Sequence, residues 1–222
     1  TLRRQVVRIL GTSDWERQWA ELKAQQAAAK LISPLFSALF SVQTEIHWHA
    51  VTCMGDLVRD VSAHGYEPAR IVMRRLMWSL NDESGGIGWG APEAMGEIMA
   101  QNKPLGEEYR SILLSYIVDR EGPDNYLEYA PLRLGAYWGI ARLAQAFPGL
   151  VLTAEQDLDQ ALTEEDSPQS LLLICLTWSL LPSLPATAVQ AMQGLLARQD
   201  RVELYWNKHF QVVTLAAQAR KA

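Results

Sequence analysis

The sequence predicts an all-α fold in which pairs of helices repeat along the chain. Apolar residues recur at helical spacing in successive segments, for example at Ile71, Val72 and Leu76. Seven of the ten prolines stand where a helix is expected to begin, and no segment shows a convincing strand-like alternation of apolar and polar residues. Together these observations predict one helical domain over residues 1–222.

The N-terminal part, residues 1–31, is predicted to hold an arm and a capping helix. Cap-type residues at 12–14 precede Trp19 and other apolar residues at helical spacing, which predicts a helix over residues 13–30. Residues 2–10 are expected to form either a short helix or a flexible arm.

The spacing of the prolines predicts a two-helix repeat over residues 32–222. The prolines expected at helix starts are Pro34, Pro68, Pro92, Pro104, Pro131, Pro168 and Pro185. Pro34, Pro68 and Pro104 are separated by 34 and 36 residues. Pro92, Pro131 and Pro168 are separated by 39 and 37 residues. Two interleaved series with a similar step indicate alternating first and second helices. The second helices are expected at residues 43–64, 88–102, 131–146, 167–181 and 201–219.

The side chains agree with this repeat. The segment from His47 to Gly55 aligns with the segment from Gly88 to Gly96 at an offset of 41 residues. Trp48 then corresponds to Trp89, and Gly55 to Gly96. Small residues at the last position are expected to let neighbouring helices approach closely.

A period of 37 to 41 residues with two helices per unit resembles the HEAT and armadillo proteins. It is most similar to the bacterial HEAT-like repeats named after phycobilisome lyases. The resemblance covers about residues 32–220 as five helix pairs, and it implies a right-handed α-α superhelix whose second helices line the concave face. The segment from Trp78 to Glu93 also resembles one found in small HEAT-type proteins of anaerobic bacteria, for which no activity is known.

Composition narrows the classes of function. The net charge of −5 argues against binding to nucleic acid through its phosphates. No apolar run approaches the roughly 20 residues that a membrane span requires, so we expect no membrane partner. Cys53 and Cys175 both lie in apolar helical patterns and are expected to be buried free thiols, as in a cytoplasmic protein.

The segment from Asn81 to Gly90 interrupts the helical pattern with polar residues and glycines, and two interpretations stay open. As a site, it is a polar loop beside a helix N-terminus, where free N–H groups favour an anion. As a turn, its glycines and Asp82 cap the flanking helices. It lacks the Lys-Ser/Thr pair and the preceding strand of a nucleotide-binding P-loop. Two interpretations of the Arg74-Arg75 pair also stay open: one arginine folds back onto Asp82 or Glu83 and holds the loop, or the pair belongs to a solvated basic face, which is the favoured interpretation.

The candidate site combines this loop with the N-terminal rim of the concave face. Trp89 lies between glycines and is expected to be partly exposed, as an aromatic anchor for a partner. The residues predicted to contact a partner or ligand are Glu45, His49, Arg74, Asn81, Asp82, Glu83, Trp89, Glu93, Arg133 and Tyr137.

Catalytic and metal sites are not predicted. Glu45, His49 and Cys53 follow one another at i, i+4 spacing, but ligands on a single helix without a second cluster occur often by chance. No Ser/His/Asp or Cys/His arrangement has a meaningful spacing. We therefore expect no cofactor, no metal and no catalytic residue.

The sequence favours a non-catalytic scaffold that holds a segment of a partner protein on its concave face. The alternative is a small-ligand protein, or a chromophore lyase as the resemblance implies, that uses the loop from Asp82 to Glu93. HEAT-like folds also resemble alkylpurine DNA glycosylases, which need a basic concave face. Here only Arg133, Arg142 and Lys208 are candidates for such a face.

Overall fold

The computed structural model describes residues 1–81, 88–119 and 125–222, and within these ranges the chain is mostly helical. The described helices are α1 (Leu2–Leu10), α2 (Trp15–Gln25), α3 (Ala28–Leu39), α4 (Thr44–Ser62), α5 (Tyr66–Leu80), α6 (Ala91–Gln101), α7 (Lys103–Ser115), α8 (Ala130–Ala146), α9 (Glu155–Glu164), α10 (Pro168–Leu180), α11 (Ala186–Leu195) and α12 (Leu215–Ala219). Two antiparallel strands, β1 (Arg201–Trp206) and β2 (His209–Thr214), precede the last helix. The prediction of a helical class is therefore confirmed in its coarse form, and the small sheet is the departure from it.

Four helices packed in a row form the centre of the molecule. Helix α4 packs on α6, α6 packs on α8, and α8 packs on α10. Helices α3, α5, α7 and α9 each pack against the helix of this series that follows them in the chain. Helices α6 and α10 are buried on nearly all sides, and the sequence of α10 is accordingly apolar on nearly every face.

Glycines let α6 and α8 cross at very short distance. A Cβ atom added to Gly96 would lie 2.2 Å from the Cα of Gly139, so no larger residue fits at this crossing. A Cβ atom on Gly55 would lie 2.7 Å from Glu97 on α6. The predicted close approach at Gly55 and Gly96 is confirmed.

Five of the seven prolines lie at or next to a helix start, Pro68 is the third residue of α5, and Pro34 lies inside α3. The capping helix predicted for residues 13–30 ends at Gln25, because Gln26 and Ala27 adopt extended conformations and α3 begins at Ala28. Neither glycine nor proline marks this break, and the alanines around it favour a helix. The sequence therefore predicts one continuous helix where the structure has two. The arm is a helix, α1.

The second helix predicted at residues 201–219 is wrong, since a β-hairpin occupies most of this segment. The strands are joined through Asn207 and Lys208, which both have positive φ angles, 51° and 66°, as in the tight turns that match the twist of a hairpin. Val202 and Leu204 are buried between exposed Arg201 and Glu203, which is the alternation of a strand.

No helix in the described ranges is both long enough and apolar enough to cross a bilayer.

Candidate functional site

A cleft of about 700 Å³ opens between α2, α4, α6, α8 and the hairpin. Its lining is rich in aromatic and charged side chains: Trp15, Glu16, Trp19, Ala20, Lys23, Thr52, Cys53, Asp56, Arg59, Glu97, Gln101, Trp138, Arg142, Tyr205, Asn207 and Lys208. Helices α4, α6 and α8 each supply residues four positions apart, which a helix places on one face. These pairs are Thr52 and Asp56 on α4, Glu97 and Gln101 on α6, and Trp138 and Arg142 on α8.

Aromatic side chains form the apolar part of the cleft and tie its walls together. Trp19 donates its indole N–H to Asp56 Oδ2 at 3.0 Å. Trp138 donates its indole N–H to the carbonyl oxygen of Tyr205 at 2.8 Å, which fastens the hairpin to α8. The Tyr205 hydroxyl lies 3.0 Å from the hydroxyl of Thr52, and burial raises the pKa of Tyr205. The rings are therefore held in place before any ligand arrives.

Ion pairs cross one end of the cleft between α2 and α4. The Lys23 ammonium donates to Asp56 Oδ2 and to Asp60 Oδ2, each at 2.6 Å. Partial burial disfavours the charged form of Asp56, but the hydrogen bonds from Lys23 and Trp19 outweigh it and hold the pKa of Asp56 below its usual value. Arg59 also contacts Asp56. Asp56 is therefore charged and multiply paired.

A second group of ion pairs crosses the cleft between α6 and α8. Arg142 donates its Nε–H to Glu97 Oε2 at 2.7 Å, and Gln101 donates to Glu97 Oε1 at 2.6 Å. Glu97 is almost fully buried, so these bonds replace the water that its carboxylate has lost. Lys208 in the hairpin turn pairs with Glu16 on α2. Four cations and three anions line the cleft, which gives it mixed charge beside aromatic surface.

The predicted residues Glu45, His49, Arg74 and Asn81 lie outside this cleft. Glu45 and Asn81 are exposed. His49 is buried, its Nδ1 lies 2.7 Å from the carbonyl oxygen of Leu10, and its ring stacks on Trp15 with the centroids 4.3 Å apart. Burial lowers the pKa of His49. It therefore supports the core behind the cleft wall.

Arg74 pairs with Glu67 on its own helix at 2.5 Å. Asp82 and Glu83, to which an arginine was expected to reach, lie outside the described residues.

The structure brings Arg133 and Tyr137 together at a separate place. Both bind the same oxygen, Glu165 Oε1, at 2.6 Å from Arg133 Nε and 3.1 Å from the Tyr137 hydroxyl. Arg133 also donates to the carbonyl oxygens of Leu127 and Glu128. These contacts join α8 to the segments before it and before α10, so the pair has a structural function.

Trp89 is 39% exposed, as expected, and its ring meets that of Tyr129 edge to face with the centroids 5.7 Å apart. Trp78 is also exposed, at 69%, near the end of α5.

Glu93 is buried in the first turn of α6. His47 Nε2 lies 3.8 Å from Glu93 Oε1, and the other ring nitrogen of His47 lies 2.8 Å from the carbonyl oxygen of Leu39. Glu93 does not reach the large cleft, but it lines a second, smaller cavity.

The described residues do not place three His, Cys, Asp or Glu side chains where they could hold a metal ion. Cys53 and Cys175, both within the described ranges, are buried free thiols as predicted. Burial raises the pKa of Cys53 well above its ordinary value, so its thiol is protonated and a poor ligand.

The cleft residues were missed because the prediction emphasised the N-terminal rim of the second helices. The sequence does carry a signal of the cleft one to two turns further along these helices. There, Asp56, Glu97 and Arg142 are charged residues within otherwise apolar segments. Charged residues at such positions are rarely buried without partners. No comparable local signal indicated that α2 and the hairpin complete the cleft.

Comparisons with known proteins bear on the fold and not on the function. No known protein family and no curated protein matches this chain. Among solved structures, the chain is similar to an engineered protein from the Northeast Structural Genomics Consortium, with a TM-score of 0.52 and 14% sequence identity. That match covers 100% of this chain and 94% of the engineered one.

Proposed function

We propose that this protein is a non-catalytic binding module that takes a short segment of a partner protein into the large cleft. The observation that carries this proposal is the cleft itself, whose volume of about 700 Å³ is lined by both charge signs and by tryptophan and tyrosine. Binding sites of about 300–1,000 Å³ are typical for ligands that are largely enclosed. Tryptophan, tyrosine and arginine are the residues that most often dominate binding energy at protein interfaces.

The lining also indicates the chemistry of the segment. Because the cations and anions of the cleft are paired with one another, a strongly acidic or strongly basic ligand would gain little from it. A segment that carries both an acidic and a basic side chain can form ion pairs with the cleft residues, in place of internal pairs such as Arg142–Glu97 and Lys208–Glu16. An aromatic or aliphatic side chain between them would pack on Trp19 and Trp138.

The proposed architecture behind this function is an α-α superhelix of the HEAT-like class. The packing order of α4, α6, α8 and α10, each with the preceding helix of the chain packed on it, supports it. The second helices α4, α6 and α8 contribute the cleft, as expected for the concave face of such a repeat. The free thiols Cys53 and Cys175 support a reducing compartment such as the cytoplasm.

A selection from a random peptide library tests the proposal with one blocking variant and one matched control. Ala20 is an exposed residue of α2 that lines the cleft, so Ala20→Trp would fill the cleft without breaking an ion pair. Ala24 is exposed on the same helix but does not line the cleft, so Ala24→Trp is the control.

We expect peptides that bind the parent protein and the control with similar affinity, and that bind Ala20→Trp at least about tenfold more weakly. If no peptide is enriched, or if the enriched peptides bind Ala20→Trp as well as the parent, the cleft is not a peptide site.

A further inference from the structure

A second cavity of about 110 Å³ lies between α4, the start of α6, α8, α10 and the hairpin. It shares Trp138 and Tyr205 with the large cleft, so these two rings belong to both linings. Exposed residues at its edge, Thr44, Gln169 and Glu203, connect it with the surface. A small molecule therefore has a route into it.

The cavity contains a carboxyl group with an unsatisfied oxygen. Glu93 is 9% exposed, and among the described residues its Oε2 has no hydrogen-bond partner. Leaving a polar group buried and unpaired costs about 1–3 kcal/mol, and more for a charged group. Gly135 makes room for this carboxyl, because a Cβ atom there would lie 2.5 Å from Glu93 Oε2.

Aromatic rings form a continuous wall in the same cavity. Trp48 stacks on Tyr205 with the centroids 5.2 Å apart, and lies 4.8 Å from the ring of Trp138. Phe210 extends this wall, with its centroid 5.0 Å from that of Tyr205. All four rings line the cavity. Aromatic faces attract cations through the ring quadrupole, most strongly where water is excluded.

The charge of the lining has one sign. Glu93 and Glu203 are both acidic, and the described residues that line the cavity include no lysine, arginine or histidine. This differs from the large cleft, where each lining anion, Asp56, Glu97 or Glu16, has a cationic partner. His47, which does not line the cavity, lies 3.8 Å from the other oxygen of Glu93, Oε1, so Oε2 is the oxygen left for a ligand. A buried carboxyl group with one unsatisfied oxygen, an aromatic wall and the absence of lining cations together favour a positively charged organic ligand.

We propose that this cavity binds a small free organic cation of the alkylammonium class, with Glu93 as its counter-ion and the four rings as its wall. The volume suits an ion of a few non-hydrogen atoms. The proposal does not depend on a peptide in the large cleft, since Ala20→Trp blocks that cleft and leaves the lining of this cavity intact.

Calorimetric titration with tetramethylammonium chloride tests the proposal, with sodium chloride as the control for ionic strength and tert-butanol as a neutral molecule of similar shape. Glu93→Gln removes the charge at nearly constant volume. Glu107→Gln, an exposed carboxylate on α7, is the matched control. We expect saturable binding to the parent and to Glu107→Gln, binding at least about tenfold weaker to Glu93→Gln, and no competition by tert-butanol.

A second measurement on the parent protein keeps the test decisive if Glu93→Gln folds poorly. Nuclear Overhauser contacts from the methyl protons of bound tetramethylammonium should reach the ring protons of Trp48 and Trp138. The proposal is overturned if methylammonium through tetramethylammonium show no saturable binding, if the folded Glu93→Gln variant binds equally well, or if the contacts lie on other residues.

Discussion

Glu93 shows at the residue scale how environment, and not sequence spacing, sets the state of a side chain. Burial raises the pKa of Glu93, and the charge of the nearby His47 imidazole opposes only part of this rise. The folded protein then retains a proton that the unfolded chain releases, in the interval between the ordinary pKa of 4.5 and the raised one. Stability is therefore lost as the pH rises through that interval.

Glu93→Gln should remove this loss, because glutamine does not titrate. We expect the variant to be more stable than the parent at pH 8 by on the order of 1–2 kcal/mol, since a buried amide costs less than a buried carboxylate with one unsatisfied oxygen. The difference should disappear near pH 4, where glutamate is protonated in both states. Urea unfolding at pH 4, 6 and 8 measures this, with no added ligand. An advantage that does not change with pH would show that titration of Glu93 is not its cause.

At the scale of single elements, the crossing of α6 and α8 depends on two glycines. Gly96→Ala would place a methyl group 2.2 Å from the Cα of Gly139, and backbone cannot rotate away as a side chain can. We expect the unfolding free energy to fall by about 3 kcal/mol, at the upper end for overpacked cores.

Gly194→Ala is the control, since Gly194 lies in α11 and the described residues place no atom within 4 Å of an added Cβ. It should stabilise the protein by about 0.5–1 kcal/mol, because alanine is the better helix former. Thermal and urea unfolding of both variants checks the pair. Similar losses in the two would indicate that helix propensity or the denatured state, and not the crossing, dominates.

The turn of the hairpin is the second element whose stability depends on the local backbone conformation. Asn207 has a φ of 51°, and it accepts a hydrogen bond from Gln145 at 2.9 Å. Asn207→Gly and Asn207→Val both lose this bond, but only valine is strained at positive φ. We expect Asn207→Val to be less stable than Asn207→Gly by about 1–2 kcal/mol in urea unfolding. Equal stabilities would mean that the turn relaxes to negative φ.

At the scale of the whole molecule, the chain ends meet across the cleft. Lys208 pairs with Glu16, although 192 residues separate them, and Tyr205 contacts Thr52 and Trp138 on two central helices. A simple array of repeats has contacts only between neighbours, so its cooperativity can break down. These long-range contacts couple α2 near one end of the chain with the hairpin near the other.

We therefore expect a single unfolding transition in urea. The tryptophans lie from Trp15 to Trp206 and report on both ends of the chain, whereas far-UV circular dichroism reports on the helices. The two signals should have the same midpoint. Separate midpoints would show that the N-terminal helices or the hairpin unfold independently of the centre.

The sequence determined most of the helices, because their signals are local. Apolar spacing and prolines such as Pro92, Pro131 and Pro168 act within one or two turns, and helices begin next to each of them. The close approach at Gly96 also followed from the repeat alone. These features need no knowledge of what packs against the helix.

Only the tertiary structure decided the rest. The segment at 201–214 has apolar residues that suit either a helix or a strand, and its contacts with α4 and α8 select the hairpin. The cleft exists because α2 and this hairpin meet over the central helices, and the burial of Glu93 depends on the close approach of Gly135 on α8. Local periodicity indicates that a face is apolar, but which distant element covers that face is settled by contacts across the whole chain.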